Sequence, residues 1–422
     1  YEITYGDWSS DVCSSDLRGT FEHAAARAAT TMATRDPLFF IRVYSAGACG
    51  GPQRAEVSCR VLSEAKDVMS APTYKIAILA GDGIGKEVVP AGLAAIEADI
   101  RNSGITIQWT ELPWGCDYYL QKGRMMDEDG FERAAAFDAI YLGAIGSPKV
   151  PDHIAVWDLL LPLRQRFQQY VNLRPMRLMP GLTSPLAHRT SADIDMVCVR
   201  ENSEGEYSGV GGRVHVGTPH EVAVQTGVFT RTGIEHIVRY GFEVAAKRPR
   251  RMLASATKSN ALRHAMVMWD EVADIVAKDY PQVEYRKYHV DAIAARMVTN
   301  PGSLDVIVCS NLFGDILTDI GSAISGSLGI APGANINPER TFPSMFEPIH
   351  GSAPDIAGKG IANPIGAIWA AAQMFDHLGH RDVHDRILGA VERVLATGTV
   401  RTPDLGGTAT TRTMSDAVVA EI

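Results

Sequence analysis

The stretch TYKIAILAGDGIG, residues 73–85, decides how the rest of the chain is read. Ile76 to Ala80 is an apolar run of strand length. It ends on Gly81, Gly83 and Gly85, and residues 87–99 follow with helical spacing. A strand, a glycine turn and a helix invite a dinucleotide-binding reading, because such turns bring backbone N–H groups to a pyrophosphate. The spacing argues against it. It is G-x-G-x-G, Asp82 sets a negative charge beside any pyrophosphate, and no acid is evident closing a second strand about 20 residues on. The stretch reads as a tight turn opening an α/β body, not as a Rossmann site, although it can still approach a cofactor by another geometry.

From this point strand and helix patterns alternate to the C-terminus. Strands are predicted over 139–142, closing on GAIGSP, and over 194–199, ending at Arg200. Residues 157–170 have helical spacing, with Pro162 tolerable only in a first turn. Residues 222–229 alternate as a strand, after which Thr232 and Glu235 form a capping-box pattern. A strand over 252–257 ends at Lys258, with Ser259 or Asn260 available as the next helix cap. Strands over 283–290 and 304–309 lead to Asp291 and to a helix carrying Asp315 and Asp319. The succession is α/β. Arg200, Lys258 and Asp291 stand at strand ends, where ligands of α/β sheets collect.

The chain has 422 residues, a formal net charge of −9 and 46% hydrophobic residues, enough for two or three domains' worth of core. No apolar run approaches the ~20 residues of a membrane-spanning helix. The negative charge leaves no footprint for nucleic acid, and the basic run Lys247, Arg248, Arg250 and Arg251 reads as a solvated helix end. Cys116, Cys198 and Cys309 are far apart in sequence, without C-x-x-C or a Cys/His cluster, and read as isolated thiols of a reducing, cytoplasmic setting.

Before Met69 nothing alternates. An organelle transit peptide is disfavoured by Asp7, Asp11, Asp16, Glu22 and Asp36, since such peptides are poor in acids. DVCSSDL, written in codons as GACGTGTGCTCTTCCGATCT, resembles the 3′ end of a common sequencing-library adapter. The expectation is a non-native extension over residues 1–68, with 7–17 adapter-like, and a natural start at Met69.

Several constellations carry chemistry. In NLFGDILTD, Asp315 and Asp319 stand four residues apart, so on a helix both carboxylates share a face without a neighbouring Lys or Arg. A hard divalent cation would explain them; an exposed acidic face is the alternative. PLRQRFQQYVNLRP supplies Arg164, Arg166 and Arg174, guanidinium forks suited to carboxylates, unless they are surface arginines. RENSEGEYSG adds Arg200 and Tyr207, and ATKSN adds Lys258, a candidate base beside a metal-bound hydroxyl. HGSAPDIAGKGIANP is a long loop whose Asp355 can accept both hydroxyls of a ribose; a surface loop is the plain alternative.

Together, GDGIGKEV, NLRP, VRENSEGEYSG, TKSN, HVDA, NLFGDILTD and EPIHGSAPDIAGKGIANP resemble the β-decarboxylating dehydrogenases: isopropylmalate, isocitrate, homoisocitrate and tartrate/D-malate dehydrogenases. The resemblance runs in order from Tyr74 to TPDLGGTATT and implies the isocitrate/isopropylmalate dehydrogenase-like fold. A large cofactor-binding domain would comprise 70–169 and 326–422, and a smaller domain over 170–325 would build a homodimer interface. It also implies that Arg164, Arg174 and Arg200 bind substrate carboxylates, and that Asp315 and Asp319 hold Mg²⁺ or Mn²⁺ with Asp291 of the partner subunit. Lys258 of the partner subunit would deprotonate the C2 hydroxyl, and Tyr207 would protonate C3 after CO₂ leaves. His350, Gly351, Ala353, Asp355 and Asn363 would bind the cofactor. The resemblance implies NAD as that cofactor, because Asp355 would repel a 2′-phosphate. A monovalent cation requirement stays open. PWGCDYY and FQQYVNLRP look like the tartrate/D-malate branch, and Trp157 with Leu160 would fill the space of a larger C3 substituent. The rival readings are a 3-isopropylmalate dehydrogenase and a non-catalytic regulatory subunit.

Overall fold

The computed structural model describes residues 72–422; the expectations for residues 1–68 lie outside the described residues. The described residues hold twelve strands, with helices between most of them but none within β4–β7 or between β11 and β12: β1 (Thr73–Gly81), β2 (Thr106–Glu111), β3 (Ala139–Ala144), β4 (Val171–Arg177), β5 (Asp195–Glu201), β6 (Gly205–Val214), β7 (Val222–Val228), β8 (Met252–Thr257), β9 (Glu284–His289), β10 (Val306–Cys309), β11 (Pro332–Ile336) and β12 (Ser344–Pro348). Ten form one sheet in the order β2-β1-β3-β12-β11-β4-β5-β10-β8-β9, while β6 and β7 form a separate antiparallel ribbon. β2, β1, β3 and β12 are mutually parallel, as are β5, β10, β8 and β9. Antiparallel β11 and β4 join the two sets.

This topology positions the candidate site. β5, β10, β8 and β9 run the same way, so their carboxyl ends share one edge. Those ends deliver Arg200, the helix Asn311–Ile324, Lys258 and Asp291. β5, β8 and β10 are buried and read as nearly continuous apolar runs, which makes their ends visible in sequence, whereas β9 (EYRKYH) is largely exposed and polar.

Elsewhere the structure corrects the sequence reading. An acid does close a second strand: Glu111 ends β2, which lies parallel beside β1. The Asp82 carboxylate nevertheless serves structure, accepting hydrogen bonds from the backbone N–H groups of Cys116 (2.9 Å) and Gly146 (2.9 Å). Residues 157–170 are not one helix. A π-helical turn Val156–Leu160 passes into the helix Leu161–Arg166, Pro162 sits in that helix's first turn, and the chain is extended from Val171. The cap of the helix Arg231–Lys247 is Thr230, accepting from the Gly233 N–H at 2.9 Å, rather than Thr232. Neither Ser259 nor Asn260 caps a helix, because turns fill the chain up to Ala265. Asp291 lies in the first turn of the helix Val290–Thr299, since β9 stops at His289.

Two composition readings also change. The basic run is not merely solvated: Arg248 and Arg250 both reach the fully buried carboxylate of Asp305, at 2.5 and 3.3 Å. A buried acid needs such partners to offset its desolvation. Cys198 and Cys309, distant in sequence, bring their sulfurs to 3.3 Å on neighbouring strands β5 and β10. Among the described residues no helix is long and apolar enough to cross a membrane.

Candidate active site

Three arginines converge. Arg200, at the end of β5, is 2% exposed; its Nη1 donates to Asp315 Oδ1 at 2.6 Å and its Nη2 to Asn311 Oδ1 at 2.7 Å. The glycine inside NLFGD makes this possible, because a Cβ on Gly314 would meet Arg200 Cγ at 2.5 Å. Arg174, on β4, donates to Thr318 Oγ1 at 2.8 Å and lies 4.0 Å from Asp315. Burial and the positive charges of Arg200 and Arg164 push its pKa down to about 10. Arg164 is held by Glu347 at 2.8 Å, both side chains being 11% exposed, and its Nε is buried without a partner. Arg166, by contrast, is exposed and stacks over Phe131 at 4.0 Å.

A ladder that sequence reasoning missed ties two of these arginines together. Arg174 Nε donates to Asn172 Oδ1 (2.6 Å), Asn172 Nδ2 to Asn335 Oδ1 (2.8 Å), and Asn335 Nδ2 to Glu347 Oε1 (2.7 Å), the oxygen that also accepts from Arg164. Asn202 Nδ2 donates into it at Asn335 Oδ1, 2.9 Å. Buried polar groups need partners, and here they supply one another across β4, β11 and β12. The available signal was polar residues inside otherwise apolar strand runs, VNLRP, PGANI and SMFEP.

The two helix acids differ electrostatically. Burial raises the Asp315 carboxyl, but Arg200 and Arg174 outweigh it and hold it below its usual range. Asp319 is raised, first by burial and then by the Asp315 charge, and no hydrogen bond offsets this. Burial and the nearby Asp315 charge raise the Tyr207 hydroxyl, which donates to Asp315 Oδ2 at 3.4 Å. Lys258 and Asp291 form their own pair at 2.5 Å, whose hydrogen bond lowers the Asp291 carboxyl. Among the described residues no three His, Cys, Asp or Glu side chains gather as a ligand set, so Asp291 does not join Asp315 and Asp319 within one chain. A hard cation fits the Asp315–Asp319 pair nonetheless, since it would offset the burial and the Asp315 charge that together raise Asp319.

The candidate cofactor loop packs on the opening glycine turn. Ile84 N–H donates to Ser352 O at 2.9 Å, a Cβ on Gly83 would lie 2.0 Å from that oxygen, and Gly358 N–H donates to Glu87 Oε1 at 2.5 Å. Gly351 and Asp355 are exposed, and Ala353 holds a left-handed φ of 41°. Asn363 is buried and donates to Asp404 Oδ2 at 2.9 Å. His350 Nε2 is buried without a partner, and burial lowers the ring's pKa. An orphaned ring nitrogen beside open glycine backbone fits a ligand with polar edges, as a nucleotide has. Trp157 is 37% exposed and Leu160 is half-buried against the core.

The isocitrate/isopropylmalate dehydrogenase family profile matches residues 75–418. The chain belongs to this family. Family relatives include a probable tartrate dehydrogenase/decarboxylase of Agrobacterium vitis, 55% identical over 350 residues, covering 83% of this chain and 98% of the relative. The D-malate dehydrogenase [decarboxylating] of Escherichia coli K12 is 53% identical over 353 residues, covering 82% and 98%. The solved isocitrate dehydrogenase of Methylococcus capsulatus superposes with a TM-score of 0.75 at 35% identity, covering 82% of this chain and 99% of that one. This isocitrate/isopropylmalate dehydrogenase-like fold carries both the arginine cluster and the acidic helix described above.

Proposed function

We propose that the chain oxidatively decarboxylates a small (R)-2-hydroxy dicarboxylic acid with NAD and a divalent metal, converting D-malate to pyruvate and CO₂ and acting on tartrate. The observation that carries this reading is the convergence of Arg164, Arg174 and Arg200 beside the unpaired carboxylate of Asp319. Three guanidiniums leave one positive charge beyond what Asp315 and Glu347 neutralise, and a divalent cation on the acidic helix would add the charge that a substrate with two carboxylates needs. Asp315 and Asp319, with Asp291 of the partner subunit, would hold Mg²⁺ or Mn²⁺, which when bound supplies a Lewis acid at the C2 oxygen. His350, Gly351, Ala353, Asp355 and Asn363 would hold NAD, the hydride acceptor; the exposed Asp355 carboxylate disfavours a 2′-phosphate.

The chain's own groups divide the proton work. Lys258 of the partner subunit takes the C2 hydroxyl proton. Tyr207, kept protonated by its raised pKa, donates to C3 once CO₂ has left. Trp157 and Leu160 limit the room at C3 and favour the unsubstituted acids over 3-isopropylmalate.

A homodimer is part of the same proposal. Val210, Val214, Val216, Val222 and Val224 on the β6–β7 ribbon are 49–65% exposed, and Ile316, next to Asp315, is 53% exposed. A two-stranded ribbon is marginal alone, and its valines gain by covering a second copy. The division into a cofactor half (70–169 and 326–422) and a dimer-forming half (170–325) belongs to this reading, as does a cytoplasmic setting for the free thiols Cys116, Cys198 and Cys309.

The test is NADH formation with Mn²⁺ on D-malate, tartrate and 3-isopropylmalate side by side. Preferential turnover of either of the first two supports the proposal; preference for the third makes this an isopropylmalate dehydrogenase. Silence on all three from a folded dimer points to a regulatory subunit. Mixing Lys258→Ala with Asp319→Asn protein should recover activity that neither homodimer has, if sites are shared.

A further inference from the structure

We infer that Gly209 is a specificity-determining residue: its missing side chain is the seat of the Trp157 ring, and that seat sets the room left at C3 of the substrate. The inference deepens the proposed function and rests on it for the substrate's identity. A Cβ placed on Gly209 would lie 2.8 Å from both Cη2 and Cζ3 of Trp157, closer than real Cβ atoms approach a neighbour. The tip of the indole therefore rests directly on the glycine.

The two residues come from opposite walls. Trp157 projects from the π-helical turn Val156–Leu160, just ahead of the helix that carries Arg164. Gly209 follows Tyr207 by two residues in β6, where pairing slips: Gly205 pairs with Val228 and Val210 with Thr226, so five steps of β6 face two of β7. That bulge carries Tyr207, whose ring lies 5.8 Å from the Arg200 guanidinium and whose hydroxyl reaches Asp315. Bulges and π-turns both re-aim side chains at the cost of regular pairing. Here they aim an indole and a glycine at each other. The ring thus bridges from the Arg164 wall to the Tyr207 wall, and any substituent at 209 has to move it.

The experiment compares Gly209→Ala with Gly217→Ala. Both glycines hold a φ of 76°, so both alanines carry similar backbone strain, but a Cβ on Gly217 meets nothing within 4 Å. One methylene in an apolar pocket discriminates substrates by roughly 10–200-fold. Gly209→Ala should therefore change the ratio of kcat/KM on D-malate to kcat/KM on 3-isopropylmalate by at least about 10-fold, while Gly217→Ala leaves the ratio unchanged. Trp157→Leu, which removes the ring, should lower the ratio, and the double variant Gly209→Ala/Trp157→Leu should match Trp157→Leu alone. Equal losses on all substrates in Gly209→Ala, or ratio shifts that add in the double variant, would overturn the inference. Should Gly209→Ala fail to fold, the double variant, which removes the ring, recovers the fold if the seat is real; failure of both would sink it.

A second readout needs no turnover. The Trp157 emission, taken as the difference between spectra with and without Trp157→Phe, should move to longer wavelength in Gly209→Ala and not in Gly217→Ala. If the wild-type enzyme prefers 3-isopropylmalate, the substrate reading falls, and this emission difference alone decides whether the seat exists.

Discussion

Glu347→Gln tests whether the ladder beneath the arginines serves substrate binding. Arg164 Nη2 and Glu347 Oε1 are 2.8 Å apart, with each side chain 11% exposed. Opposite charges about 4 Å apart attract by about 4 kcal/mol at an effective dielectric of about 20. Removing one partner of a buried pair costs about 3–5 kcal/mol. Glutamine keeps an oxygen that can still accept from Asn335 and Arg164, so the lower end, about 3 kcal/mol, is expected as a fall in the urea midpoint. Arg164 would also lose the anchor that fixes which edge of its guanidinium faces the substrate. A hydrogen bond to a charged group contributes about 1.5–3 kcal/mol, so misaligning one lowers kcat/KM on D-malate roughly 10–150-fold. Most of that change should sit in KM, because the carboxylate contact exists in ground and transition states alike. The assay pairs steady-state kinetics with urea unfolding on the same preparation. A lowered midpoint with KM within about twofold of wild type would refute the reasoning: the pair would then be a strut, and Arg164 would not touch substrate.

Mn²⁺ affinity should fall as pH drops through the raised Asp319 pKa, before the lowered Asp315 titrates; titration calorimetry across pH reads this, and Asp319→Asn should weaken binding and remove that step. The sign for stability is opposite. A carboxyl raised by folding favours the folded state at low pH and loses that contribution as pH rises through its folded pKa, so metal-free Asp319→Asn should unfold at higher urea than wild type at neutral pH. Tyr207→Phe removes the proton donor and should cut kcat for pyruvate formation roughly 10²–10⁴-fold with little change in KM. Thr230→Ala deletes the cap of the helix Arg231–Lys247, together with a hydroxyl bond to Glu204 at 2.6 Å. It should cost about 0.5–2 kcal/mol in urea unfolding and leave KM unchanged.

What was legible in the sequence follows from distance along the chain. Strand ends are local: VCVRE, LASATK and VIVCSN each change from apolar to polar within a few residues, so Arg200, Lys258 and the acidic helix announced themselves. β6 hid because GEYSGVGGRV has four glycines and no apolar alternation, and β11 because PGANI opens on proline and glycine. The ladder was hidden for a different reason. Asn172 meets Asn335 across 163 residues, and Glu347 meets Arg164 across 183. Those pairs exist only because β4, β11 and β12 are neighbours, an ordering that no local pattern encodes. The same holds for Cys198 with Cys309, and for Arg248 with Asp305. A motif therefore names the groups that can act on a substrate, while strand order chooses the groups that aim them. In this chain the first kind lies in NLRP, REN and NLFGD. The second lies in Asn335 and Glu347, whose meaning appears only when the chain has folded back on itself.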